Sequence, residues 1–145
     1  MIKWLVLLMV GATTASAAFL VNLAVENIAG FKFWATLSVM QTSGYLTSFL
    51  LYSIINCLLV LASVLVTLYL GPAAAGSGIS EVKAFLNGVD VPAIFHLRTL
   101  IAKLVGAVGS VAGGLAIGKE GPFVHAGAAI AAILSQVRGF HMTSE

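Results

Sequence analysis

The sequence predicts an all-α integral membrane protein built from tilted and broken helices. Hydrophobic residues make up 60% of its 145 residues, charged residues only 8%, and the mean hydropathy is +1.08. Residues 4–25 and 33–80 contain no charged residue at all. As a helix the first run would be about 33 Å long, enough for a hydrocarbon core of about 30 Å. Glycine and proline interrupt the later apolar segments, which predicts helices that stop within the membrane.

The same composition argues against several classes of protein. A net charge of +2, scattered along the chain, is too small for a nucleic-acid-binding surface. Cys57 is the only cysteine, so no internal disulfide is possible. His125 has no partner at metal-ligand spacing, and we expect a packed, hydrogen-bonded histidine there. No nucleophile–base pair is found, and we therefore expect no enzyme, metal, cofactor or nucleic-acid partner.

The N-terminal half is expected to contain two membrane helices. The first covers about residues 3–25 and leads into an interfacial turn at 25–34, where Glu26, Lys32 and Trp34 suit the water boundary. A polar loop at 38–48 and a second helix at about 47–70 follow, and Gly71-Pro72 ends that helix. An alternative for the N-terminus is a cleaved signal peptide ending near Ala15-Ser16-Ala17. The apolar run continues beyond these residues, which favours a helix that stays in place.

The C-terminal half is expected to contain three shorter helices, at about residues 80–86, 95–117 and 122–137. Arg98 and Lys103 are expected at the cytoplasmic boundary, with their stems along apolar surface. Small residues recur at every fourth position of the middle helix, and this spacing lets two helix backbones approach closely. These residues are Gly106, Ser110, Gly114 and Gly118.

Residues 71–86 and 118–127 share one design, in which glycines and a helix-starting residue precede a short helix. Each segment places a helix N-terminus inside the protein, and its unpaired N–H groups form a site for an anion. Glu120 directly precedes Gly121-Pro122, and proline favours the first helical position. An acid within the membrane normally faces a cavity and has a function. The pattern predicts a carboxylate that competes with an incoming anion and withdraws when it is protonated.

Two of these segments carry a family resemblance. GSGISE at residues 76–81 and GKEGP at 118–122 resemble signature segments of the CLC family of chloride channels and proton-coupled chloride exchangers. AVENIAGFKF and the residues around both motifs resemble the plant and algal branch and the intracellular exchangers of animals, over nearly the whole chain. The resemblance implies the first part of an inverted-repeat fold, a bilayer location in an organelle such as the vacuole or Golgi, and a homodimer for the full-length protein.

The resemblance also assigns functions to individual residues. Glu120 would be the gating glutamate and proton carrier, and the hydroxyl of Ser77 would donate to the central chloride. Gly76 and Gly78 would shape the loop around Ser77, and backbone amides on either side of Glu120 would bind a second, outer anion. The implied anion-binding residues are Gly76, Ser77, Gly78, Lys119 and Gly121.

The sequence departs from the family pattern at several points. Ser80 stands where the family usually has proline, so we expect the short helix to begin with a serine cap. Serine at position 77, where nitrate-preferring plant relatives have proline, implies chloride as substrate. No counterpart of the second half of the fold, or of the internal proton-transfer glutamate of the exchangers, is expected within residues 1–145.

Four functions are compatible with these sequence features. Proton-coupled chloride exchange is favoured by Lys119 in GKEGP and by the intracellular-type flanks. A voltage-gated chloride channel, a truncated membrane fragment that does not conduct, and an unrelated anion transporter are the alternatives. Gly113 and Gly118-Lys119 have the spacing of a phosphate-binding P-loop, but Glu120 stands where that motif needs serine or threonine, and no strand precedes it.

Overall fold

The computed structural model describes residues 2–89 and 94–137, which fold into helices joined by short turns. Over these residues it contains no strand. A short 3-10 helix at Pro72–Ala74 follows the second α-helix. The α-helices are α1 (Ile2–Ser43), α2 (Tyr45–Leu70), α3 (Ile79–Leu86), α4 (Leu97–Ala112) and α5 (Glu120–Val137).

The first two helices are long and apolar enough to cross a bilayer. Large apolar side chains along both of them are exposed, as expected for helices that meet lipid or further membrane helices. With 42 residues, α1 is about 63 Å long, roughly twice the hydrocarbon thickness. A helix of this length is accommodated by a strong tilt or by extending beyond the bilayer.

The interfacial turn predicted at residues 25–34 does not form, and neither does the loop at 38–48. The chain remains helical to Ser43, and α2 begins after Gly44. Polar side chains in this region donate to the carbonyl one turn earlier, as Thr36 does to Lys32 at 2.8 Å and Ser38 to Trp34 at 2.9 Å. A polar stretch can stay helical in the membrane because these bonds satisfy its hydroxyl groups.

Lys32 was predicted at the water boundary, and the structure places it in the interior instead, where it is 3% exposed. Its ammonium group donates to Asn56 Oδ1 at 2.9 Å and to the carbonyl oxygen of Ala112 at 2.8 Å. It also lies 4.9 Å from the ring centroid of Tyr52. A cation near the last carbonyls of α4 is favourable because the negative end of the helix dipole lies there.

The small residues of α4 pack against α2. A Cβ added to Gly109 would lie 3.0 Å from Ser63 Cβ, and one added to Gly106 would lie 2.9 Å from Thr67 Oγ1. Ser63 donates to the carbonyl oxygen of Gly106 at 2.6 Å and shares a 2.8 Å hydrogen bond with Ser110. The close approach predicted from the spacing is therefore found, but only as far as Gly113, because α4 ends at Ala112.

Both ends of the loop between α4 and α5 differ from the expected bounds of 117 and 122. α4 ends early because Gly114 has φ 83°, a left-handed conformation that side chains disfavour. α5 begins at Glu120, since the N–H of Phe123 donates to the carbonyl oxygen of Lys119 at 3.2 Å. Pro122 is consequently the third helical residue. The N–H at this position has no acceptor within the helix, so a proline there costs no helical hydrogen bond.

Candidate functional site

The two signature loops lie against each other. A Cβ added to Gly121, in the first turn of α5, would lie 3.1 Å from both the Cβ and the carbonyl oxygen of Ser77. Gly121 is buried, whereas Ser77 and Glu120 are exposed. The start of α5 thus contacts the loop that leads into α3, and the side chains predicted to bind an anion remain accessible beside this contact.

The loop before α3 depends on glycine. Gly76 has φ 87° and Gly78 has φ 80°, so both adopt the left-handed conformation. Gly78 is the N-cap residue of α3 and, as a glycine, has no side chain to cap the helix. The N–H of Ile79, the first residue of α3, donates to Ser77 Oγ at 3.4 Å. The predicted serine cap at Ser80 is wrong, because Ser80 already lies inside the helix. The hydroxyl of Ser77 is the side chain at this helix start.

The first turn of α5 supplies free donors. Its first backbone bond runs from Phe123 to Lys119, so the N–H groups of Lys119, Glu120 and Gly121 have no partner within the helix. Glu120 is the first residue of α5, where the helix dipole favours a negative charge. Its carboxylate and an external anion would therefore be attracted to the same group of amides.

The side chain of Lys119 is held by α1. Its ammonium group donates to Asn22 Oδ1 at 2.7 Å. This bond fixes the lysine that precedes Glu120 at a point on α1, so the group of Lys119 that remains available as a donor beside Glu120 is its backbone amide.

Lys103 is a residue of the site that the sequence reasoning placed elsewhere. It is 4% exposed, and its ammonium group would lie 2.7 Å from a Cβ added to Gly78, with His125 Cβ at 2.8 Å from the same point. Glu81 attracts it electrostatically, yet the ammonium has no hydrogen-bond acceptor among the described residues. The predicted boundary position is therefore wrong. The sequence feature that could have identified Lys103 as a site residue is a single lysine within an apolar helix. A charged residue in an apolar segment is also the feature that indicated Glu120.

His125 is fully buried at 0% exposure, and its ring stacks on Phe95 with 6.3 Å between the centroids. Its Cβ and Cγ would both lie 2.8 Å from a Cβ added to Gly78, so His125 packs directly against this glycine. Over residues 2–89 and 94–137, no group of three histidine, cysteine or acidic residues could hold a metal ion. Free amides, a hydroxyl and a buried ammonium lie next to one loop, and these are groups that can attract a small anion.

Comparison with known proteins gives the family to which this chain belongs. The profile of the family described as voltage gated chloride channel matches residues 57–145. The chain is 50% identical over 135 residues to chloride channel protein CLC-d of Arabidopsis thaliana and 44% identical over 135 residues to its chloride channel protein CLC-a. It is 39% identical over 140 residues to H(+)/Cl(-) exchange transporter 7 of Homo sapiens.

These matches cover 93% to 94% of the chain but only 17% of the length of each relative. The chain belongs to the voltage gated chloride channel family, also called CLC, and the resemblance read from the signature segments is confirmed. The family is one of membrane channels and transporters, not of enzymes, which agrees with the sequence prediction and with the exposed apolar faces of α1 and α2.

Proposed function

We propose that these residues form part of a chloride pathway across a membrane, in which chloride is exchanged for protons and Glu120 is the gate. The observation that supports this most strongly is the contact between Gly121 and Ser77, because it brings two helix starts together. Family membership supports chloride as the anion, and one matched relative is named as an H(+)/Cl(-) exchange transporter.

The chemistry follows from the groups at the contact. Chloride accepts hydrogen bonds from the Ser77 hydroxyl and from the amides of Lys119, Glu120 and Gly121. The ionised carboxylate of Glu120 competes for those amides and blocks the anion. When Glu120 takes up a proton it loses its charge and leaves the amides, so chloride enters and the proton is carried on the displaced side chain. Gly76 and Gly78 allow the close loop, and the ammonium of Lys103 behind Gly78 adds positive potential.

Replacing the gate residue tests the proposal. In the full-length protein reconstituted in liposomes, Glu120→Ala should abolish proton movement coupled to chloride and remove the pH dependence of chloride flux, while chloride still flows. The physical reason is that alanine can neither carry a proton nor occupy the amides. Chloride and proton fluxes are measured together, under opposed chloride and pH gradients.

Glu26→Ala is a matched control, because Glu26 is an exposed acid on α1, outside the start of α5. It should behave as the unaltered protein. Proton coupling that survives in Glu120→Ala contradicts the proposed gate. Chloride flux without proton movement in the unaltered protein indicates the channel alternative, favoured by relatives named as chloride channels. Absence of any flux through residues 1–145 reconstituted alone would fit the alternative of a membrane fragment that does not conduct. The organelle membrane and the homodimer stay predictions of the family resemblance.

A further inference from the structure

Helix α1 forms a hydrogen bond at each end of the loop that connects α4 to α5. At one end, Lys32 donates to the carbonyl oxygen of Ala112, the last residue of α4. At the other end, Lys119, directly before α5, donates to Asn22 of α1. Both bonds involve an ammonium group, and hydrogen bonds to charged groups are roughly twice as strong as neutral ones.

A third contact continues the same path. A Cβ added to Gly127 of α5 would lie 3.7 Å from Thr14 Cγ2 of α1. Positions 14, 22 and 32 of α1 therefore face positions 127, 119 and 112 in reverse order. The loop and the start of α5 run antiparallel along one side of α1. Because Asn22 and Lys32 are about 15 Å apart along an unbroken helix, their spacing is rigid.

The bond at Ala112 completes the end of α4. The carbonyl groups of Gly109, Ser110 and Val111 accept from backbone N–H groups at 2.9 to 3.2 Å. The carbonyl of Ala112 accepts from Lys32, which Asn56 of α2 holds in turn. The start of the loop is therefore fixed by a buried cation that belongs to α1.

We propose that α1 is the positioning element of the gate, with Asn22 and Lys32 holding the two ends of the loop that carries Glu120. Neither residue touches the anion. Asn22 acts through Lys119, the chain neighbour of Glu120, and Lys32 acts through the end of α4. This inference rests on the proposed function, since it assigns to Asn22 and Lys32 the task of holding the Glu120 carboxylate over the amides for which chloride competes.

The test compares chloride flux at acidic and neutral pH in the full-length protein. The acid-to-neutral flux ratio measures how well the ionised gate closes, and it is independent of the fraction of protein that has folded. Asn22→Leu removes the acceptor for Lys119, so the carboxylate is no longer held in place and flux at neutral pH rises. We expect the ratio to fall about tenfold, the size of effect that loss of one hydrogen bond to a charged group produces.

Four variants complete the design. Asn22→Asp keeps an oxygen acceptor and should retain the ratio. Asn27→Leu removes an amide from the same helix that, among the described residues, donates to the carbonyl oxygen of Leu23 one turn earlier, and it should also retain the ratio. Lys32→Met should lower the ratio, whereas Lys3→Met, at an exposed position of α1, should not. Glu81, Lys103 and His125 remain in every variant, so their own contribution to the pH profile is unchanged.

The outcomes separate this inference from the proposed function. If Glu120→Ala leaves the ratio of the unaltered protein unchanged, the gate itself is wrong. If Glu120→Ala abolishes the pH dependence while both Asn22→Leu and Lys32→Met keep the full ratio, the gate stands and the positioning by α1 is refuted. If either variant yields no active protein, the other still decides. In the Glu120→Ala background, Asn22→Leu should have no further effect on the ratio, since no gate is left to position.

Discussion

At Gly121 the absence of a side chain allows two loops to meet. The nearest atoms to an added Cβ are the Cβ and the carbonyl oxygen of Ser77, both 3.1 Å away. These atoms belong to the backbone or adjoin it, so they cannot rotate aside as the tip of a flexible side chain does. Any residue larger than glycine must push the Ser77 loop away from the start of α5.

Gly121→Ala should therefore weaken chloride binding about tenfold, since overpacking at a close contact costs on the order of 1–3 kcal/mol. Gly118→Ala is the matched control, because a Cβ there meets nothing within 4 Å. Chloride affinity is measured by titration calorimetry on the full-length protein. Equal affinity in the two variants would mean that the contact between the loops does not shape the site.

The residues of this site differed in how far the sequence predicted them. Glu120 and Ser77 were predicted because glycines and a helix start surround each of them. Lys103 and Lys32 were predicted at water boundaries, because the sequence does not show which residues lie near a lysine side chain or accept its hydrogen bonds. Their acceptors and neighbours come from elements distant in sequence, such as Asn56 and Ala112 for Lys32.

At the scale of elements, α2 and α4 pack closely around the small residues of α4. Gly109 approaches Ser63, and Gly113 approaches Val60 with 2.8 Å from its added Cβ to Val60 Cγ2. Without a hydrophobic driving force in lipid, such pairs depend on close van der Waals contact and on hydrogen bonds between helices. The bond from Ser63 to the Gly106 carbonyl provides the latter.

Gly109→Ala should lower the thermal unfolding temperature in detergent, because its methyl group would separate α2 from α4. We expect a loss of about 1–3 kcal/mol in unfolding free energy. Gly11→Ala, also within a helix but with nothing within 4 Å of the added Cβ, should be neutral or slightly stabilising. A common response of both variants would show that the α2–α4 contact contributes no more than helix propensity does.

The spacing of small residues was enough to predict that α4 packs closely against another helix, but not that this helix is α2, and the helix ends were less predictable. The positions of Gly113 and Gly114 allow either a continued helix or a stop, and the φ of 83° at Gly114 decides for a stop. At residues 25–43 the polar side chains suggested loops. The sequence does not reveal that hydroxyl groups such as those of Thr36 and Ser38 bond back to their own helix.

At the scale of the whole molecule, α1 is the frame against which α2, α4 and α5 are placed. It reaches α5 through Thr14, the Glu120 loop through Asn22, and both α2 and α4 through Lys32. The long exposed faces of α1 and α2 suit a membrane setting. The broken helices α3 and α5 then start side by side, so the Ser77 hydroxyl and the first amides of α5 lie next to the position where we propose that Glu120 competes with an anion.

The central claim is that an anion binds where these two helix starts meet. The most direct measurement is a crystal structure of the full-length protein in bromide, with anomalous scattering recorded at the bromine edge. We expect an anomalous peak within hydrogen-bond distance of Ser77 Oγ and a second peak at the Glu120 and Gly121 amides when Glu120 is replaced by alanine. Bromide bound elsewhere, with neither position occupied in Glu120→Ala, would contradict it.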